Sequence, residues 1–131
     1  MYAIKQYEQT YNQKINDFIE SIYIDEFGYE EYRDIIKSED NSKYINDGGT
    51  FLMALDESND IIGTIAINKH SNEDAELKKL YVRKDYRGRG VSKALYEEVF
   101  KICKDCHYKK MFLGTFEKMD TAINFYINRR I

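Results

Sequence analysis

The chain contains no proline, no internal repeat and no low-complexity tract. Nothing in it therefore reads as a linker or a boundary between domains. No apolar run approaches the roughly 18 residues that a membrane span requires, so no segment is expected to cross a bilayer. The opening Met1-Tyr2-Ala3-Ile4-Lys5 has neither an apolar h-region nor a small-residue cleavage site. A cytoplasmic location is the resulting expectation. Cysteine is scarce: Cys103 and Cys106, followed by His107, spell C-x-x-C-H, a pattern used for haem attachment or redox work. Haem attachment belongs to an export route, and the pair continues the apolar stripe of an expected helix. Both thiols are therefore expected to be buried and structural, with no haem.

What remains is enough for one globular domain. The 131 residues are 43% hydrophobic and 15% aromatic, which excludes a disordered chain and suits a single core over residues 1–131. The net charge of −3 hides an asymmetry. Residues 1–77 hold 6 basic against 17 acidic side chains, whereas residues 78–131 hold 14 against 6. Such a division suggests one anionic and one cationic partner.

Periodicity gives the elements. Tyr2–Tyr7 reads as a strand. Tyr11–Glu26 reads as a helix with Ile15, Phe18, Ile19 and Ile22 on one face, and Glu30 to about Lys37 as a shorter one. Thr50–Leu55 and Ile61–Lys69 form a hairpin around Asp56–Asp60, and Ala75–Val82 is a third strand in this run. A helix follows to about Cys106, with Val91, Leu95, Val99 and Ile102 on one face. Lys110–Thr115 is a strand and Thr121–Asn128 a last helix, capped by Asp120 or Thr121. The order β-α-α-β-β-β-α-β-α predicts an α+β fold with a mixed sheet.

Chemistry concentrates between the third strand of that run and the helix after it, at Tyr86-Arg87-Gly88-Arg89-Gly90-Val91-Ser92. Two glycines let backbone N–H groups approach a ligand, and the positive end of a helix points at the same place. Arg87 and Arg89 add donors suited to phosphate oxygens. Lys78, Lys79, Arg83, Lys84 and Lys93 surround the loop, with Asp85 the one acid among them. This is a pyrophosphate cradle, though neither a P-loop nor a G-x-G-x-x-G site. Nucleic acid is not an expected partner. Base-stacking aromatics beyond Tyr81 and Tyr86 are lacking there, and the chain as a whole is acidic.

The strand Ala75–Val82 followed by Arg87-Gly88-Arg89-Gly90-Val91-Ser92 resembles the signature of the GNAT acetyltransferases, R-x-x-G-x-[G/A] after a strand that ends in valine. Ser92 stands where the family usually has Gly or Ala. The hairpin Phe51–Ala66 resembles the family's second and third strands. Ala122-Ile123-Asn124-Phe125-Tyr126 resembles its A-x-x-F-Y helix. The resemblance implies acetyl-CoA as co-substrate, without a metal, and an amine as acceptor. It implies that Leu80, Tyr81 and Val82 offer backbone groups to the pantetheine and thioester. Arg87, Gly88, Arg89, Gly90, Val91 and Ser92 would hold the pyrophosphate. Tyr126 would be the acid toward the leaving thiolate, and Glu76 the base for the amine. The acids Asp25, Glu26, Glu30, Glu31 and Asp34 fall where relatives cover the acceptor, which favours a cationic amine.

Two departures carry expectations of their own. Met119 stands where relatives often carry a cofactor-contacting asparagine. The final β-hairpin of relatives is absent from the sequence after Arg129-Arg130-Ile131, so the chain reads as C-terminally short. That leaves a catalytically weak CoA-binding module as the alternative to an enzyme. It also predicts an open edge along Lys110–Thr115, where a second copy would pair to form a homodimer.

Overall fold

In the computed structural model, residues 1–113 and 129–130 are described. The first strand, β1 (Tyr2–Gln6), leads into helix α1 (Asn12–Glu20). Ile15, Phe18 and Ile19 are buried on one side of α1, as the spacing predicts. The helix does not stop at Glu20. Ser21–Glu26 continues it with π winding, in which Phe27 N–H donates to Ile22 O at 3.2 Å, five residues back. Gly28, at φ 76°, then turns the chain out of the helix. A 3₁₀ turn at Glu30–Tyr32 runs into α2 (Arg33–Ser38), and α3 (Ser42–Asn46) follows. This third helix has only five residues and no apolar stripe, so periodicity gives no sign of it.

Six strands make one mixed sheet in sequence order: β1, β2 (Thr50–Asp56), β3 (Ile61–Lys69), β4 (Asp74–Val82), β5 (Lys110–Leu113) and β6 (Arg129–Arg130). All neighbouring pairs are antiparallel except β4 and β5, which run parallel. The crossover between those two is α4 (Val91–Asp105), because parallel strands need a helix-sized connection. Between β2 and β3, Asp56 Oδ1 accepts from the N–H groups of Ser58 and Asp60, both at 2.9 Å. The acid at the strand end thus builds the turn.

Both faces of the sheet are covered. On one, Leu52, Ile65, Ile67, Leu77 and Leu80 pack with Val91, Leu95 and Val99 of α4. On the other, Phe51, Met53, Ala66 and Tyr81 pack with Ile15, Phe18 and Ile19 of α1. No described helix is long and apolar enough to cross a membrane.

Two expectations need correcting. The edge of β5 is not open at its start, because Arg130 pairs with Lys110 and Arg129 with Met111. The chain covers that part of its own edge, so the premise for a homodimer through it fails there. Cys103 is buried, and burial pushes its thiol up to about 12, but Cys106 is exposed at the turn after α4. Only the first is a core residue. Amides tie the chain after α2 to α1: Asn16 and Asn12 both donate to Glu39 O, at 2.8 and 2.9 Å. The expected helix Thr121–Asn128, with Tyr126, and the residues Gly114, Thr115 and Met119 lie outside the described residues.

Candidate active site

The site begins with an irregularity in β4. Thr64 pairs with Tyr81 and Ala66 with Lys78, so Lys79 and Leu80 together stand opposite Ile65. This is a β-bulge, and Lys79 adopts φ 57°, a left-handed conformation unusual for a residue with a side chain. Thr64 on β3 satisfies the displaced carbonyl: its Oγ1 donates to Lys79 O at 2.7 Å. The bulge keeps Leu80 and Val82 on the α4 face with Leu77, while Tyr81 turns to the α1 face. The described pairing of β4 with β5 runs from Asp74↔Lys110 to Leu77↔Leu113. Lys78–Val82, which holds the bulge, lies beyond it.

The loop after β4 has the geometry that its glycines suggest. Gly88 and Gly90 lie at φ 76° and 83°, where a Cβ would add strain. Gly90 caps α4, no side chain caps that helix, and Ala94 N–H donates to Gly90 O at 3.0 Å. The first amides of α4 are thereby left for a ligand or solvent, at the positive end of the helix. Arg83 is held by Asp85 through Nε–Oδ1 at 2.7 Å. Arg83 and Arg89 lie over the Tyr86 ring, at 5.1 and 5.3 Å from its centre. The stacked guanidinium fixes one arginine beside the glycines.

Arg87 is engaged by other parts of the chain. Its Nε donates to Val82 O at 2.9 Å, and its guanidinium meets the Glu26 carboxylate in a bidentate pair, with Nη2–Oε2 at 2.8 Å. Glu26 was expected among acids facing the acceptor; it instead ties the π-helical turn to the loop. The hydrogen bonds from Arg87 hold the Glu26 carboxyl below its ordinary value, with the charges of Arg87 and Lys84 acting in the same direction and burial opposing. Because the folded value is depressed, this pair stabilises the fold above the ordinary carboxylate range and ceases to do so as pH falls through the lowered value. Glu26→Gln is therefore expected to lower the melting temperature at pH 7. Its gap from the wild type should close below about pH 4. Melts followed by circular dichroism at both pH values check this, and an equal gap at both would remove the ion pair as the cause.

Glu76, expected from the resemblance as the base for the amine, is buried at 6% exposure. It lies opposite Asn68 on β3 and Phe112 on β5. Asn68 Nδ2 donates to its Oε1 at 3.1 Å, and His70 Nε2 lies 2.9 Å from the same oxygen. Neither partner is singled out by motif. The signal was available in alternation, since Asn68 and His70 stand two residues apart at the end of β3, and Asn68 lies opposite Glu76. Among the described residues, no group of His, Cys, Asp or Glu is placed to hold a metal ion.

The model of the Acetyltransferase (GNAT) family matches residues 12–129. An uncharacterized N-acetyltransferase of Schizosaccharomyces pombe is 29% identical over 85 residues, which make up 64% of this chain and 52% of that protein. One from Mycobacterium bovis is 27% identical over 85 residues, 65% of this chain and 54% of that protein. The chain thus spans about half the length of these curated relatives. Among solved structures, an acetyltransferase of the GNAT family from Staphylococcus aureus superposes with a TM-score of 0.82 at 30% identity, over 96% of this chain and 81% of the other. A predicted acetyltransferase with acetyl-CoA from Clostridium acetobutylicum gives 0.74 at 18% identity, over 96% and 88%, a likeness of fold. Together with the bulged strand and the glycine loop that opens α4, the family match settles the affiliation: the chain belongs to the GNAT family of acetyltransferases.

Proposed function

We propose that the chain transfers an acetyl group from acetyl-CoA to a primary amine of a small molecule or peptide. The observation that carries this reading is the junction of β4 with α4, where a bulged strand runs into two left-handed glycines and an uncapped helix. Backbone amides from Arg87 to Ser92, with Arg89 beside them, suit a pyrophosphate. Leu80, Tyr81 and Val82 suit the pantetheine and the thioester. A backbone N–H there would stabilise the tetrahedral oxyanion, a contribution of several kcal/mol in typical cases. The solved acetyltransferase with acetyl-CoA that shares the fold supports the choice of co-substrate. Glu76 serves deprotonation of the amine, and Tyr126, outside the described residues, gives a proton to the departing thiolate.

The acceptor side favours a cation. Among the described residues, Asp25, Glu31 and Asp34 take part in no ion pair within 4.0 Å. Exposed Phe27 and Tyr32 lie in the same segment, and their cluster reaches β4 through Tyr23, whose ring meets those of Tyr32 and Tyr81 at 5.4 and 5.9 Å. Carboxylates and ring faces together attract ammonium groups.

Calorimetric titration with acetyl-CoA should give saturable binding. Thiol release should then show kcat/KM for spermidine or lysine amide about 10-fold or more above that for glutamate. Absence of acetyl-CoA binding would overturn the whole reading, and a preference for glutamate would overturn the cationic acceptor alone.

A further inference from the structure

Glu76 and His70 form a pair whose two members differ sharply in access to solvent: the Glu76 side chain is 8% exposed and the His70 side chain 50%. An ionised carboxylate oxygen can only accept. Against such an oxygen, Nε2 of His70, 2.9 Å from Glu76 Oε1, would carry the hydrogen. In the neutral ring this leaves Nδ1 with its lone pair on the other side. Asn68 holds the same oxygen from β3 at 3.1 Å, which fixes the carboxylate that fixes the imidazole. Phe112 of β5 meets the His70 ring edge-on at 5.1 Å, a third restraint on its orientation. The ring thus lies over the seam of β4 and β5 at the register position Glu76↔Phe112, one step before Leu77↔Leu113 and four residues before Leu80. Charged groups nearby on the turn and flanking strands are Lys69, Glu73, Asp74, Lys109 and Lys110. Glu73 and Lys109 pair with each other at 3.5 Å, and among the described residues none of the five is within 4.0 Å of His70 or Glu76 as an ion pair.

We propose that His70 is the residue that takes the proton from the acceptor amine, with Glu76 as its positioning carboxylate. This rests on the acetyl-transfer reading given above. An acceptor with an ordinary amine value near 10 meets a closer match in an imidazole, ordinarily about 6.5, than in a carboxylate, ordinarily about 4.3. The half-exposed ring can also exchange its proton with water, which a buried carboxyl does poorly. The ammonium gives one proton to Nδ1, directly or through a water. The free amine attacks the thioester carbon, a C–N bond forms and the C–S bond breaks. The thiolate leaves as CoA thiol with a proton supplied by the acid, which recovers the second nitrogen-bound proton of the intermediate. The net reaction, ammonium plus acetyl-CoA to amide plus CoA thiol plus one proton, has one proton to export. His70 releases it to solvent, while Glu76 keeps the tautomer and faces the imidazolium as it forms.

Two variants separate the roles. His70→Gln keeps an amide donor for Glu76 but has no base. With spermidine as probe it should lose about 10²-fold in kcat/KM while acetyl-CoA affinity stays unchanged. Its acid limb in the pH–rate profile should disappear, and His70→Ala should regain rate when free imidazole is added. Glu76→Gln should lose less, because the ring remains. If His70→Gln stays within about 2-fold of wild type while Glu76→Gln loses about 10²-fold, Glu76 is itself the base and the proposal is overturned. Long-range ¹H–¹⁵N spectra of the wild type test the pair without turnover. The Nε2–H tautomer is expected, and a ring protonated at Nδ1 in its neutral form would equally overturn it. A wild type that binds acetyl-CoA but acetylates no amine, with the expected tautomer present, would overturn the acetyl-transfer reading and the proton transfer with it.

Discussion

Gly90→Asp is expected to abolish acetyl-CoA binding at concentrations that saturate the wild type. The argument begins with the backbone. Gly90 adopts φ 83°, so any side chain there costs about 1–2 kcal/mol in strain. Space is not the obstacle, because an added Cβ meets no atom within 4 Å. The aspartate places its charge in front of the first amides of α4. There it competes with the ligand for the helix end, and a carboxylate about 4 Å from a phosphate charge costs about 4 kcal/mol at an effective dielectric of 20. Affinity should therefore fall about 10³-fold. Gly90→Ala carries the same strain without the charge, and should lose no more than about 10-fold. Calorimetry on both variants decides the matter, with melting curves to establish that each is folded. Equal affinity in wild type and Gly90→Asp would move the phosphates away from this loop.

The second large effect concerns stability and lies far from the loop. An alanine Cβ at Gly49 would lie 1.9 Å from Ile67 O, 2.9 Å from the Ile67 carbonyl carbon and 3.0 Å from Tyr44 O. These are backbone atoms, so no rotamer change can relieve the clash. Ile67 belongs to β3 and pairs on both sides, with Thr50 and with Leu77. Moving it disturbs two ladders. Gly49 N–H also donates to Tyr44 O at 2.7 Å, which locks α3 to the start of β2. Gly49→Ala should cost about 3 kcal/mol or more and lower the melting temperature by about 10 °C. Gly48→Ala is the contrast. Its Cβ meets only the Lys69 side chain, at 3.0 Å to Cδ, though its φ of 92° adds strain. It should cost about 1 kcal/mol. A Gly49→Ala chain that melts within about 2 °C of wild type would show that the turn before β2 yields more easily than the ladders allow.

Regular elements were legible because period and composition agree along them. Ile15, Phe18 and Ile19 announce α1, and the acidic turn at Asp56 announces the hairpin. The glycine loop was legible because left-handed positions demand glycine. The features that shape the site were hidden for a common reason. Each depends on a partner distant in sequence. Lys79 looks like any strand lysine, and only its register against Ile65 makes it a bulge. Glu26 and Arg87 are 61 residues apart, and nothing near either residue predicts their pairing. Asn16 and Asn41 belong to no motif, yet both are buried and joined at 2.8 Å across 25 residues of chain. The edge of β5 appeared open because two residues, Arg129 and Arg130, are too few to show a strand period.

The bulge has a consequence for how such a site can be gained or lost. β4 carries one residue more than β3 needs opposite it, and that surplus is absorbed at Lys79 without changing which face Leu77 and Leu80 occupy. Adding or deleting a residue there alters the course of the strand while sparing the core pattern on both sides. Insertion length is then the conserved quantity to look for at this point, and the identity of the side chain at 79 is secondary. A lineage could thus bulge this strand by a single codon insertion, and straighten it by a single codon deletion, with the hydrophobic code of the fold left intact.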